Sequence, residues 1–279
     1  MRHAERQQTS RLPVLALALA AQLAMTGAYS QNAATPSADE TIMNRAADLA
    51  YARELERARV KRTLDANAAQ VTTARRVAAP LMTYAATLAP VAASWSWAVH
   101  VETRDEPIAY CLPGGKVILS TGLVDRMKLT PGEVAVVLAH AIAHALAGHD
   151  AATAAARLAA LPAAPDPNRR ILQLADILGN VILNDVHGKE TERETDALAL
   201  ELMARATVDP EPAVETWRKI ARSGGATPPG FLSLHPTWPG RIDEIEAQIP
   251  SVLPLFEQAK AEMAARPRQP PVRTRSGLN

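Results

Sequence analysis

The chain has 279 residues, with 30 Lys plus Arg against 29 Asp plus Glu and a formal net charge of +1. That balance makes no basic field, so nucleic acid is excluded as a partner on charge grounds. Its 48% hydrophobic and 21% charged residues are ordinary for a globular chain long enough to bury one sizeable core. Aromatics are only 4% and alanine is abundant, which suits close-packed helices better than a large sheet sandwich. The expected class is therefore α+β, mostly helical.

Residues 1–30 read as an export signal. Arg2, Arg6 and Arg11 form a positive start, Leu12 to Met25 an apolar run, and Ala28-Tyr29-Ser30 a cleavage site before Gln31. The run is shorter than the roughly 20 residues a spanning helix needs. No cysteine lies near the cleavage site, so lipid attachment there is excluded; the lone Cys111 cannot form an internal disulfide. Ser37-Ala38-Asp39-Glu40 is a capping box opening a helix to about residue 66. A second helix runs to about Leu88 and stops before Pro90. Residues 31–92 are thus expected as helices packing on the domain that follows.

The period then changes. Trp95, Trp97, Val99 and Val101 alternate with Ser96, Ala98, His100 and Glu102, a half-buried strand that leaves His100 on the surface. Residues 107–112 and 116–120 flank Pro113-Gly114-Gly115 and read as two more strands. Thr130-Pro131-Gly132-Glu133 is a second capping box, opening a helix apolar on nearly every side and therefore buried. Beyond it the chain reads as helices at roughly 151–161, 167–186, 189–206, 211–223, 239–248 and 250–265. Breaks fall at 162–167 and 225–230. Residues 266–279 hold four arginines and three prolines with no acid, a solvated tail able to touch anionic lipid.

The chemistry sits in the buried helix. His140 and His144 are one turn apart, about 40° around the axis, so both rings can face one ion. The alternative is a pair of core histidines bonded to carbonyls or water. His149 falls about half a turn from the pair on a straight helix, unless Gly148 breaks the helix and swings it inward. Downstream, Glu192 and Asp196 share one helical face and Glu194 points away. A tetrahedral catalytic zinc takes three protein ligands. This assigns Glu192 to the metal and Asp196 to the free ring nitrogen of a ligating histidine. The alternative is an acidic, solvated helix start.

At these residues the chain resembles the HtpX/BepA/LoiP-like zinc metallopeptidases, gluzincins with glutamate as third ligand. Four blocks carry the likeness in order: Leu112 to Val117 with Thr121-Gly122-Leu123, Val137 to His149, Glu192 to Asp196, and Phe231 to Pro236 with Arg241-Ile242. The resemblance implies a zincin-like domain over residues 93–265, with a small antiparallel-type sheet beside the active-site helix. It implies one Zn²⁺ per chain on His140, His144 and Glu192, with Asp196 behind a ligand. It also implies His235 as a fourth, inhibitory ligand; the alternative for His235 is a loop residue packed beside Pro236 and Trp238. In zinc peptidases an edge strand holds an extended substrate by main-chain bonds. Lys116, Val117, Ile118, Leu119 and Ser120 are the candidate strand, or else merely complete the sheet. His235, Arg241 and His149 are the candidates for oxyanion stabilisation.

Two departures stand out. Ile108-Ala109-Tyr110-Cys111 replaces the family's Asn-Ala-Phe, and Ala141 replaces the glutamate of H-E-x-x-H. That glutamate takes the proton from the attacking water and passes it to the leaving amine; its loss typically costs about 10²–10⁴ in rate. The expected function is a zinc endopeptidase of the cell envelope, hydrolysing peptide bonds in unfolded or misassembled proteins, inactive in this form. A deliberate Glu→Ala change is favoured, because Glu192 and Asp196 are kept. The alternative is a natural pseudopeptidase acting as a binding or chaperone-like module. The resemblance places it in a Gram-negative periplasm, with extended polypeptide and outer-membrane protein assembly components as partners.

Overall fold

The computed structural model describes residues 37–163, 166–223 and 231–265. The expected export signal, the arginine-rich tail, the break at 225–230 and part of the 162–167 loop lie outside them.

Helix α1 (Ala38–Val60) opens on the capping box read from the sequence: the Glu40 amide donates to Ser37 Oγ at 3.1 Å, and the Ser37 amide to Glu40 Oε2 at 2.6 Å. It ends at Val60, not near residue 66. Arg62 and Asp65 adopt positive φ and turn the chain along the first strand, where the Asp65 amide donates to Val101 O and the Thr103 amide to Thr63 O. Helix α2 (Ala68–Leu88) follows, then a 3₁₀ turn at Pro90–Ser94.

Strands β1 (Ala98–Glu102), β2 (Ala109–Leu112) and β3 (Lys116–Ser120) form one sheet in the order β1-β3-β2. The sheet is mixed, not antiparallel-type: β1 runs parallel to β3 and β2 antiparallel. Pro113 and Gly114 (φ +80°) occupy the central positions of the turn that pairs β2 with β3, and the Gly115 amide closes it on Leu112 O. The expectation that Lys116 to Ser120 is an edge is therefore corrected. All five residues of β3 are buried and both its sides are paired. A continuous buried run is the pattern of a central strand, while alternation marks an outer one. Trp95 and Trp97 lie before β1. His100 is half-buried and not a surface residue, with Nδ1 2.8 Å from Asp65 Oδ2.

A helix not read from the sequence, α3 (Thr121–Met127), begins directly after β3, its Leu123 amide capped by Ser120 Oγ at 3.1 Å. Helix α4 (Pro131–Ala147) has the expected Thr130–Glu133 capping box and ends at Gly148 in the left-handed region, φ +74°. Helices α5 (His149–Ala159), α6 (Pro167–Asn184), α7 (Lys189–Arg205) and α8 (Pro212–Ser223) follow, then a single turn, α9 (Phe231–Leu234). The last element, α10 (Arg241–Ala265), is one helix where two were expected. Pro250 and Pro254 lie on its exposed face, where an interrupted helical bond costs least; Ile245, Ile249 and Val252 keep the buried face continuous.

Helix α4 is buried from Glu133 to Leu146, enclosed by α2, α7, α8 and β2. That burial explains its apolar residues on every side. A second cluster joins α1, α5 and α6 to Ile108, Leu112 and Ile118. The fold is thus mostly helical, with a three-stranded sheet laid against α4.

Candidate metal centre

Two turns of α4 carry His140 and His144, α7 contributes Glu192, and the residue after α9 is His235. These four offer one donor atom each within 4.8 Å of one another. His140 Nε2 lies 3.2 Å from His144 Nε2 and 3.3 Å from His235 Nδ1. Glu192 Oε1 lies 2.9 Å from His235 Nδ1 and 3.3 Å from His144 Nε2, and Oε2 lies 3.5 Å from His140 Nε2. A tetrahedral zinc with bonds of about 2.0–2.1 Å separates its ligand atoms by about 3.3 Å. The observed spacings surround that value.

The proton positions argue for a cation independently. His140 Nδ1 lies 3.1 Å from Asp196 Oδ1, so the ring's proton belongs there and Nε2 is left as a bare lone pair. The proton of His144 belongs on Nδ1 by the same reasoning, beside Thr195 Oγ1 at 3.3 Å. Two imidazole lone pairs then face each other and a carboxylate oxygen in a site where His140 is 1%, His144 3%, Glu192 0% and His235 6% exposed. Arg241 meets Glu192 Oε2, but two buried imidazole lone pairs facing each other are unfavourable unless a cation joins them. The residues fit zinc.

In the metal-free site the electrostatics divide between the two helix histidines. Burial pushes the Glu192 carboxyl up, but the adjacent imidazoles of His140, His144 and His235 hold it well below the usual carboxylate range. Burial drives His144 well below the ordinary imidazole value, keeping it neutral. Burial also lowers His140, but Asp196 and Glu192 more than offset it.

Arg241 ties the site together. It is fully buried, donates through Nε and one terminal nitrogen to both Asp196 oxygens at 2.9 Å, and lies 2.6 Å from Glu192 Oε2. Its other terminal nitrogen donates to Pro236 O at 2.8 Å, and its plane stacks 3.8 Å over Trp217. These bonds commit the guanidinium to the two carboxylates and the loop bearing His235.

His187 was missed by sequence reasoning. It lies in the loop before α7, its ring stacked on His144 with centroids 4.2 Å apart and on His235 at 5.1 Å. Its amide donates to Leu234 O at 3.0 Å. Burial lowers its pKa to about 4, with His235 adding to the effect. No spacing rule signals it; its only sequence mark is a position just ahead of the Glu192 helix. His149 is brought inward after all, by the left-handed Gly148, to 3.2 Å from His144 Nδ1. Ala141 is buried with a bare methyl group.

The open edge belongs to β2. Ile108 O and Leu112 O accept from the β3 side, so the main-chain groups of Ala109 and Cys111 face away from β3. At the start of that edge the Phe231 amide donates to Pro107 O. The segment that carries His235 is therefore anchored on it.

Paired imidazoles on a buried helix, a carboxylate from a later helix and a small sheet alongside define a metallopeptidase domain. A family model, "Peptidase family M48", matches residues 69–249, and the chain belongs to that family. Membership implies a zinc cofactor and a peptidase fold. The chain is 29% identical over 180 residues to the mitochondrial metalloendopeptidase OMA1 of Saccharomyces cerevisiae, covering 58% of this chain and 50% of the relative. It is 33% identical over 165 residues to the OMA1 of Schizosaccharomyces pombe (55% and 47%), and 25% identical over 206 residues to that of Homo sapiens (62% and 36%). The chain thus spans about half or less of the length of these relatives. They carry the OMA1 name, so they do not single out the HtpX/BepA/LoiP branch. All three are named as mitochondrial, which overturns the periplasmic location read from the first 30 residues and the resemblance.

Proposed function

We propose that this chain is a zinc-dependent endopeptidase domain for extended polypeptide, held shut by His235 and lacking its general base. The observation that carries the reading is the convergence of four possible ligand atoms, from His140, His144, Glu192 and His235, at tetrahedral spacing. Four protein donors close a zinc site, whereas a catalytic one leaves a position for water or substrate. Zinc, when bound, supplies the Lewis acidity that polarises a peptide carbonyl and makes water nucleophilic near neutral pH. The chain's own residues do the rest. Asp196, Thr195 and Arg241 hold the donors, and the outer edge of β2 at Ala109 and Cys111 offers main-chain bonds to an extended substrate. Opening requires the segment from Phe231 to Pro236 to leave both the fourth donor position and Pro107. Ala141 gives no group to take the proton from water.

The test is cleavage of an unfolded protein, with and without chelator, by the parent, Ala141→Glu, and Ala141→Glu combined with His235→Ala. Chelator-sensitive cleavage should rise at least about 10²-fold with the glutamate, and further when His235 is removed. If neither variant gains cleavage, the reading fails. Ala141 itself favours a second reading, a pseudopeptidase that binds polypeptide without cutting it. That reading expects the parent to bind unfolded protein and Ala141→Glu to gain nothing.

A further inference from the structure

We infer that His149 is a positioning residue: oriented by Glu194, it holds His144 in the tautomer that can bind metal. The inference rests on the metal-centre reading above and concerns residues that reading leaves without a role.

The argument is a proton count. His149 Nε2 lies 3.1 Å from Glu194 Oε2. A carboxylate only accepts, so the proton of the neutral His149 ring is on Nε2 and its Nδ1 is an acceptor. That Nδ1 lies 3.2 Å from His144 Nδ1. The third atom of the cluster, Thr195 Oγ1, is 3.3 Å from both ring nitrogens, and its hydroxyl donates to Thr191 O at 2.8 Å. Its proton is therefore spent, and Oγ1 faces the rings as an acceptor. Both neighbours of His144 Nδ1 accept, so His144 must bring the proton to that nitrogen. Its Nε2 is then bare and faces Glu192 at 3.3 Å. Were His144 in the other tautomer, three acceptors would face one another and a proton would block the metal position. The result is a relay of carboxylate, imidazole, imidazole and metal position, one ring longer than the Asp196–His140 pair.

The fold builds the relay on purpose-shaped backbone. Gly148 in the left-handed region ends α4 and starts α5 at His149, returning that ring to His144. Glu194 is 66% exposed and His149 16%, so water screens the carboxylate more than the ring. His149 should therefore matter more than Glu194.

The experiment measures zinc affinity of the full chain by competition with a chromophoric chelator, with circular dichroism of the metal-free protein as the fold control. His149→Phe keeps the size and removes the acceptor; it should weaken zinc binding about 10–100-fold. His149→Asn, whose carbonyl can replace Nδ1, should recover most of that loss. Glu194→Gln should cost a few-fold in the parent and nothing further beside His149→Phe, because Glu194 acts only through His149. The inference is overturned if folded His149→Phe binds zinc within twofold of the parent. It is equally overturned if Glu194→Gln costs as much with His149→Phe as without it. Should the phenylalanine unfold the chain, Glu194→Gln beside His149→Asn decides in the same way: a loss equal to that in the parent overturns the inference, and no loss supports it. A parent that binds no zinc, like a His140→Ala control, sinks the metal-centre reading and this inference together.

Discussion

Asp150 shows how far burial can move one group in this fold. Its carboxyl is buried, Oδ1 has no hydrogen-bond partner, and His187 Nε2 is 3.7 Å away. Burial raises its pKa to about 7, with Asp185 and Glu192 adding repulsion. The folded chain therefore holds a proton that the unfolded chain releases near 3.8. Stability from this group is intact below that value and is lost as pH rises towards 7. For the metal-free protein, Asp150→Asn should unfold like the parent near pH 4 and be more stable at pH 8, by up to about 4 kcal/mol. Denaturant titrations at the two pH values check this; an equal difference at both would refute it. At this scale the histidines divide cleanly. His140 and His144 could be read from their spacing, and Glu192 with Asp196 from theirs, because an α-helix turns sequence intervals of four into neighbours. His187 and the partner of Glu194 could not, because no local periodicity links them to anything.

Elements here are joined by two glycines with opposite reasons. Gly122 lies where α3 starts, and a Cβ there would sit 2.2 Å from Asp105 O and 2.6 Å from Arg104 O, both backbone atoms that cannot step aside. Its amide donates to Arg104 O at 2.9 Å. Gly148 has nothing within 4 Å of a Cβ but sits at φ +74°. Gly122→Ala should therefore destabilise by at least about 3 kcal/mol or prevent folding. Gly148→Ala should cost only the left-handed backbone term, about 1 kcal/mol. Thermal unfolding of both variants ranks them, and the reverse order would refute this account. Element starts were legible for a physical reason: capping boxes at Ser37 and Thr130 are local hydrogen-bonded patterns. Pairing order was not. The Pro113–Gly115 turn implies that β2 and β3 are neighbours, but nothing local says that β1 takes the other side of β3. That long-range choice moved the open edge from Lys116–Ser120 to Ala109–Leu112.

For the molecule as a whole, the metal position fastens together parts that are distant in the chain: α4, the start of α7 and the segment after α9, with His140 and His235 95 residues apart. An ion that binds only the folded state should stabilise it by about 4 kcal/mol at a thousandfold excess over Kd. For a chain of this size that corresponds to a rise in Tm of about 10 °C. Calorimetry with and without zinc should show the rise in the parent and lose most of it in His140→Ala; an equal rise in both would place the ion elsewhere. The charge balance, the helical character, the donors of α4 and α7 and the missing glutamate could all be read from the chain, because each depends on composition or on intervals of a few residues. The placing of His235 beside His140 and Glu192, the stacking of His187, the capture of Arg241 by two carboxylates and the outer position of β2 in the sheet required the folded molecule. Each joins segments whose distance in space bears no relation to their separation along the chain, and only packing of the whole core brings them together.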